Sequence, residues 1–204
     1  MARDIAGVVL AGGLARRMGG GDKCLKRVGG KAILDHVIEQ LKPQVGPIVL
    51  NANGDPARFA AHRLPVAADV VPGFAGPLAG VLTGMEWAAA NAPGCGWIVT
   101  VAGDAPFVPS ELVARLVAAI ESQKAEMACV TSNGRDNPVT GLWPVRLASD
   151  LRRAVVEDGI HKVDAWTARY RLARAEFSAE PFDPFFNVNT PDDLAMAEAL
   201  AARQ

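Results

Sequence analysis

The segment from Val8 to Lys23, VVLAGGLARRMGGGDK, opens with apolar residues and then carries five glycines, two arginines and a closing Asp-Lys pair. Glycine makes poor helix and poor strand because it loses the most backbone freedom on ordering. A glycine run can instead bring bare backbone N–H groups close to an anion. Between positions 14 and 28, five basic side chains stand against one acid, in a chain whose net charge is −1. Such a loop, leaving a buried strand read over Ile5 to Leu10, has the makings of a phosphate cradle, with Arg16, Arg17 and Lys23 supplying the positive charge. Two common cradles do not fit. The P-loop needs Gly-Lys followed by Ser or Thr, and Gly30-Lys31 is followed by Ala32; the dinucleotide fingerprint needs glycine where Cys24 stands.

A second chemical position is Asp104. It follows the unbroken apolar run Trp97 to Ala102, within Gly103-Asp104-Ala105-Pro106. A carboxylate directly after a buried strand is unfavourable unless something uses it. One carboxylate together with nucleotide phosphates is an ordinary magnesium site, because Mg²⁺ takes oxygen ligands and keeps several waters.

The elements that must position these residues can be read in order. Apolar positions 33, 34, 37, 38 and 41 predict a helix over 31–42, stopped by Pro43. Short strands are expected at 47–50 and 64–68. A glycine-proline loop then runs into a helix ending near Asn91, before the central strand at 97–102. Ser110 is read as the cap of a helix reaching Gln123. Strands follow at 127–131 and 139–143 with Asn133-Gly134 between them, then short helices at 147–156 and 163–168, and an outer strand at 172–177. Thr190, Pro191 and Asp193 mark the start of a final helix carrying Leu194, Ala197, Leu200 and Ala201 inward. Alternating strands and helices predict an α/β fold with a mostly parallel sheet. With no internal repeat and no linker, residues 1–204 read as a single domain. Ligands of such folds sit outside the C-terminal ends of the strands. That rule alone gathers the glycine loop, Asn51, Asp69 and Asp104 onto one rim.

Composition narrows the function classes. Hydrophobic content of 50% with 21% charged residues is ordinary for a soluble globular protein. The near-neutral balance argues against a nucleic-acid binder. No apolar run approaches the roughly 18 residues of a membrane span. The first strand begins within a few residues of Met1, so no signal peptide is expected. Cys24, Cys95 and Cys129 lack C-x-x-C spacing and are read as reduced thiols of a cytoplasmic protein, Cys24 as a packing residue. His36, His62 and His161 show no metal-ligand spacing and are read as surface residues.

The pattern L-A-G-G-x-x-x-R-M-G-x-x-D-K resembles the signature of nucleotidyltransferases, and in detail the molybdenum cofactor guanylyltransferase family. The resemblance runs from Leu10-Ala-Gly-Gly13 through Lys23, Asn51, Asp69, Gly76-Pro-Leu-Ala-Gly80 and Asp104 to Phe186-Asn187-Val-Asn189-Thr-Pro191. It implies a three-layer Rossmann-like sandwich. It also implies Mg²⁺-dependent transfer of GMP from GTP to molybdopterin or its molybdenum form, with release of pyrophosphate. By the same resemblance Leu10, Ala11, Gly12 and Gly13 would lie along the base, the ribose and the start of the phosphate path. Arg17 and Lys23 would neutralise the triphosphate, Asn51 and Asp69 would bind the nucleotide, and Asp104 would hold the metal. Asn187 and Asn189 would face the acceptor, Asn189 with a second possible contact to the metal through water. The implied protein is a monomer handling GTP and molybdopterin, with chaperones of molybdoenzymes or upstream biosynthetic proteins as candidate partners. One departure concerns the acceptor side: relatives commonly carry His-Pro ahead of the G-L-W segment, where this chain has Asn137-Pro138. Competing readings are a cytidylyltransferase, whose relatives tend to read L-A-A-G in the first segment, a sugar-phosphate nucleotidyltransferase, and a catalytically silent nucleotide sensor.

Overall fold

The computed structural model describes residues 4–12, 20–73 and 76–203. Strand β1 (Ile5–Leu10) is followed by a small hairpin, β2 (Arg27–Val28) and β3 (Lys31–Ala32), and by helix α1 (Ile33–Leu41). Then come β4 (Ile48–Asn51), β5 (Val66–Ala67), α2 (Pro77–Asn91), β6 (Trp97–Ala102), α3 (Leu112–Gln123), β7 (Met127–Ser132) and β8 (Arg135–Pro144). Helices α4 (Ala148–Val156) and α5 (Val163–Thr167), β9 (Leu172–Phe177) and α6 (Pro191–Ala201) complete the chain. Seven strands form one sheet in the order β5-β4-β1-β6-β8-β7-β9. All run the same way except β8, which is antiparallel to both β6 and β7. The expected mostly parallel α/β sheet is therefore what the chain forms.

Alternation along the strands separates two apolar layers. Ile5 and Val9 of β1, with Val99 and Val101 of β6, pack against α1 and α3 through Leu34, Val37, Leu41, Leu112 and Leu116. Ala6 and Val8, with Ile98, pack on the other face against α2 and α4 through Leu78, Leu82, Met85 and Leu151. A strand whose neighbours bury both faces must be apolar throughout, which is why the run at 97–102 shows no period of two.

Several expected boundaries shift. The strand read at 139–143 begins at Arg135, because Asn133 (φ 49°) and Gly134 (φ 67°) make a two-residue turn that pairs Ser132 with Arg135. The polar stretch Arg135-Asp-Asn-Pro138 hid this extension, and the register slips between Cys129 and Val130, where Pro138 is accommodated without a ladder N–H. Ser110 does not cap α3: its hydroxyl donates to the Glu111 carboxylate, and the helix starts at Leu112. The chain after β4 folds into a 3₁₀ segment, Pro56–His62, capped by the Asp55 carboxylate accepting from the Ala57 N–H. His62 is not a free surface residue; its side chain is 8% exposed, with Nδ1 3.1 Å from Asp35. Trp143 lies wholly in the core, donating from Nε1 to Thr100 Oγ1 at 2.8 Å. Among the described residues no helix is long and apolar enough to cross a membrane.

Gly141 in β8 faces the Trp143 ring, and a Cβ there would also lie 2.7 Å from the Ala128 carbonyl oxygen. Neither neighbour is a flexible side-chain end. Gly141→Ala is expected to destabilise the fold by about 1–3 kcal/mol, read as a melting temperature several degrees lower in calorimetry.

Candidate active site

Three adjacent strands end on one rim and are tied together there by backbone bonds. The Ala11 N–H donates to the Asn51 carbonyl at 2.9 Å, and the Gly103 N–H donates to the Leu10 carbonyl at 3.0 Å. A Cβ on Gly103 would sit 3.0 Å from Leu10 O, so glycine permits this approach. Beyond the rim lies a cavity of about 740 Å³, whose lining includes Leu10, Gly12, Asn51, Asn53, Asp69, Gly80 and Asp104. Val139 of β8 and Asn187, from the segment before α6, also line it. Its size suits a small organic ligand.

One end of the cavity is acidic and amide-rich. Asn51 is buried; its Nδ2 donates to Asp69 Oδ1 at 2.9 Å and to the Ala67 carbonyl at 3.2 Å. Asn53 holds the same carboxylate from the other side, donating to Asp69 Oδ2 at 2.7 Å and accepting from the Asp69 N–H at 2.8 Å. The register explains the pairing. β4 and β5 run parallel with Asn51 opposite Ala67, so two residues further along Asn53 meets Asp69. α2 comes close because Gly80 has no side chain: a Cβ would fall 2.5 Å from Asn51 Oδ1 and 2.6 Å from Leu10 Cδ2.

At the other end stands Asp104, which also lines a small neighbouring recess with Lys23. Lys23 Nζ lies 3.6 Å from Asp104 Oδ2, each side chain 20% exposed, and donates to Asn189 Oδ1 at 2.5 Å. Asn189 is itself fixed, since its N–H donates to Asp193 Oδ2 at 2.9 Å, as does the Thr190 N–H at 2.8 Å. The Val188 N–H donates to the Asp104 carbonyl at 2.9 Å, so the segment before α6 is bound to the loop after β6. Burial pushes the Asp104 carboxyl above its ordinary range, with the Lys23 charge pulling in the opposite direction. Asn187 Oδ1 is buried and has no hydrogen-bond donor. An acceptor-only oxygen without a donor, beside a carboxylate on the same cavity, is a donor set that suits a hard cation. Among the described residues no three His, Cys, Asp or Glu side chains cluster as a metal cage, so other ligands would have to come from a bound molecule and water. Cys24 is buried beside this pair, and its thiol is pushed up to about 12, mainly by burial and then by Asp22 and Asp104. It is a neutral packing group, not a nucleophile.

The structure thus brings Leu10, Ala11, Gly12, Asn51, Asp69, Asp104, Lys23, Asn187 and Asn189 onto one rim. Asn187 lines the main cavity, whereas Asn189 stands behind it on Lys23. Gly13 and Arg17 lie outside the described residues. Asn53 and Asp193 were not read as site residues from the sequence. The period of two in Asn51-Ala-Asn53 was the available signal for the first, and the capping box at Asp193 hid its second task.

The residues from 7 to 173 match the MobA-like NTP transferase domain. The chain belongs to the MobA-like NTP transferase family. Over 200 residues it is 54% identical to a molybdenum cofactor guanylyltransferase of Bradyrhizobium sp. (strain ORS 278), covering 98% of this chain and 94% of that protein. The fold superposes on the Archaeoglobus fulgidus molybdopterin-guanine dinucleotide biosynthesis protein A with a TM-score of 0.74 and 25% identity, over 98% of this chain and 100% of that one. A Mycobacterium tuberculosis protein solved in complex with manganese shares the fold at a TM-score of 0.68 and 18% identity, over 96% and 98% of the two chains.

The raised Asp104 carboxyl has a consequence for stability. The folded chain holds that proton more tightly than the unfolded chain, so the ionised group lowers stability at neutral pH. The loss is relieved as pH falls through the raised value. Asp104→Asn is therefore expected to melt no lower than wild type at pH 7, and up to a few degrees higher. The gap should close on acidification toward about pH 4, the ordinary carboxylate range. A lower melting temperature for the variant at neutral pH would mean that the Lys23 pair outweighs desolvation.

Proposed function

We propose that this chain transfers GMP from GTP to the terminal phosphate of molybdopterin, in its free or molybdenum form, and releases pyrophosphate. The observation that carries the reading is the polarity of the site: amides and a carboxylate at Asn51, Asn53 and Asp69 at one end of the cavity, and at the other Asp104, paired with Lys23 at 3.6 Å. A nucleotide laid along it puts its base at the first end and its phosphates at the second. The 54% identity to a molybdenum cofactor guanylyltransferase over nearly the whole of both chains supports the choice of guanine nucleotide and acceptor.

The chemistry follows from charge. An acceptor phosphate oxygen attacks the α-phosphorus in line; the new P–O bond forms as the bond to the β-phosphate oxygen breaks, and pyrophosphate leaves with that electron pair. Two anions must meet, so the protein's work is positioning and neutralisation. Lys23, held by Asn189, carries the fixed positive charge, joined by Arg17. Leu10, Ala11 and Gly12 present backbone to the nucleotide, and Gly13 is assigned to the same nucleotide-binding set. A bound Mg²⁺, held by Asp104 with the open Asn187 oxygen within the same cavity, would draw charge off the phosphates. No protein nucleophile is required, since the acceptor phosphate is already ionised, and the neutral Cys24 thiol accords with that. We further assign the protein to the cytoplasm, as a monomer that receives and passes on its pterin through other cofactor-handling proteins.

Pyrophosphate release with Mg²⁺ and molybdopterin is expected with GTP and not with CTP or ATP. Turnover with CTP would leave the site standing and overturn the base assignment. Lys23→Ala is expected to lower turnover by about 10²–10³-fold, the usual scale for removing one group that stabilises transition-state charge. Near-normal turnover at saturating substrate would remove Lys23 from the chemistry.

A further inference from the structure

We propose that Arg58 is a positioning residue that holds the base end and the phosphate end of the cavity in fixed register. This rests on the nucleotide orientation given above. Arg58 sits in the 3₁₀ segment after β4, outside the cavity wall, with its cationic carbon 4.7 Å from the centre of the buried Phe59 ring. One arm of its guanidinium donates to the Asn53 carbonyl at 2.5 Å and another donates to the Asp55 carbonyl at 3.0 Å. Its Nε lies 2.9 Å from Asp22 Oδ2 as an ion pair, with the N–H directed off that line.

These contacts bridge two stretches that the sheet does not join. Asp22 precedes Lys23, the cation at the phosphate end, and its side chain is only 12% exposed. Asn53 holds Asp69 at the base end through two hydrogen bonds, donating to its carboxylate and accepting from its backbone N–H. Gly54, at φ 86°, leaves the space: a Cβ there would fall 3.0 Å from Arg58 Nη1. A planar fork with several fixed donors can hold two carbonyls and a carboxylate at once, which a single ammonium cannot. Arg58 also neutralises Asp22, an acid that would otherwise stand uncompensated beside a phosphate site. A ligand that spans both ends gains from receiving them already aligned, because ordering them on binding would cost affinity. A ligand that fills one end gains nothing from the alignment. That difference separates a brace from a local support.

The test measures binding of guanosine, tripolyphosphate and GTP, each with Mg²⁺, to the wild-type chain and to the double variant D22N/R58Q, which removes the ion pair without leaving either charge unpartnered. GTP is expected to bind at least tenfold more weakly to the variant, with guanosine and tripolyphosphate each changed less than threefold. Equal losses for GTP and guanosine would make Arg58 a support of the base end alone. Equal losses for GTP and tripolyphosphate would make the pair part of the phosphate site, and unchanged GTP binding would remove it from recognition; each result overturns the proposal. R58K keeps the charge and is expected to fold, so it serves if the double variant does not. It should show the same pattern at threefold or more, and wild-type behaviour would likewise overturn the brace. A wild-type chain that binds CTP in place of GTP would overturn the guanylyl reading instead, and cytidine, tripolyphosphate and CTP would then decide the brace by the same comparison.

Discussion

A carboxylate held mostly out of water at the end of a central strand is the constraint on which this structure turns. Asp104 cannot remain charged there without compensation, and the nearest compensation, Lys23, comes from a loop 81 positions earlier in the chain. The lysine is in turn steadied by Asn189, from the segment that precedes the last helix. Three distant parts of the sequence are thereby fixed on one another, and the fold's job is to deliver them. A carboxyl pushed above its ordinary range by burial, beside a cation and on a cavity, is the kind of perturbed group that gathers at functional sites.

Delivery depends on close backbone approach more than on side-chain contact. Gly103 lets the loop after β6 lie against the end of β1, and Gly80 lets the first turn of α2 touch Leu10 and Asn51. Both glycines have ordinary φ values; they are required for room, not for backbone freedom. The same packing that buries the sheet on two faces therefore shapes the cavity, and a side chain at either position would alter the site through the core.

Much of this was legible in the sequence, for physical reasons. The apolar run at 97–102 and the helix periodicities report burial directly, and the carboxylate and glycine loop stand out because neither suits its neighbourhood without a ligand. The polar half of β8 was not legible, since Arg135-Asp-Asn-Pro138 has no buried face to impose a pattern. Arg58 and the 3₁₀ segment escaped for a different reason: seven residues with the single buried anchor Phe59 show no periodicity, and the ion-pair partner of Arg58, Asp22, lies 36 positions earlier in the chain. Asn53 and Asp193 were visible as residues, but their partners are set by strand register and by a cap, and only the folded chain shows those. The resemblance across residues 10–191 supplied roles that spacing alone left open, and the match over residues 7–173 now rests on the family itself.

The most direct test of the central claim is a crystal structure of the chain with Mg²⁺ and a non-hydrolysable GTP analogue. The account predicts the base beside Asn51 and Asp69 under Gly80, the phosphates running past Gly12 toward Lys23, and the metal on an Asp104 oxygen. A base lodged at the Lys23 end, or a metal bound without Asp104, would contradict it.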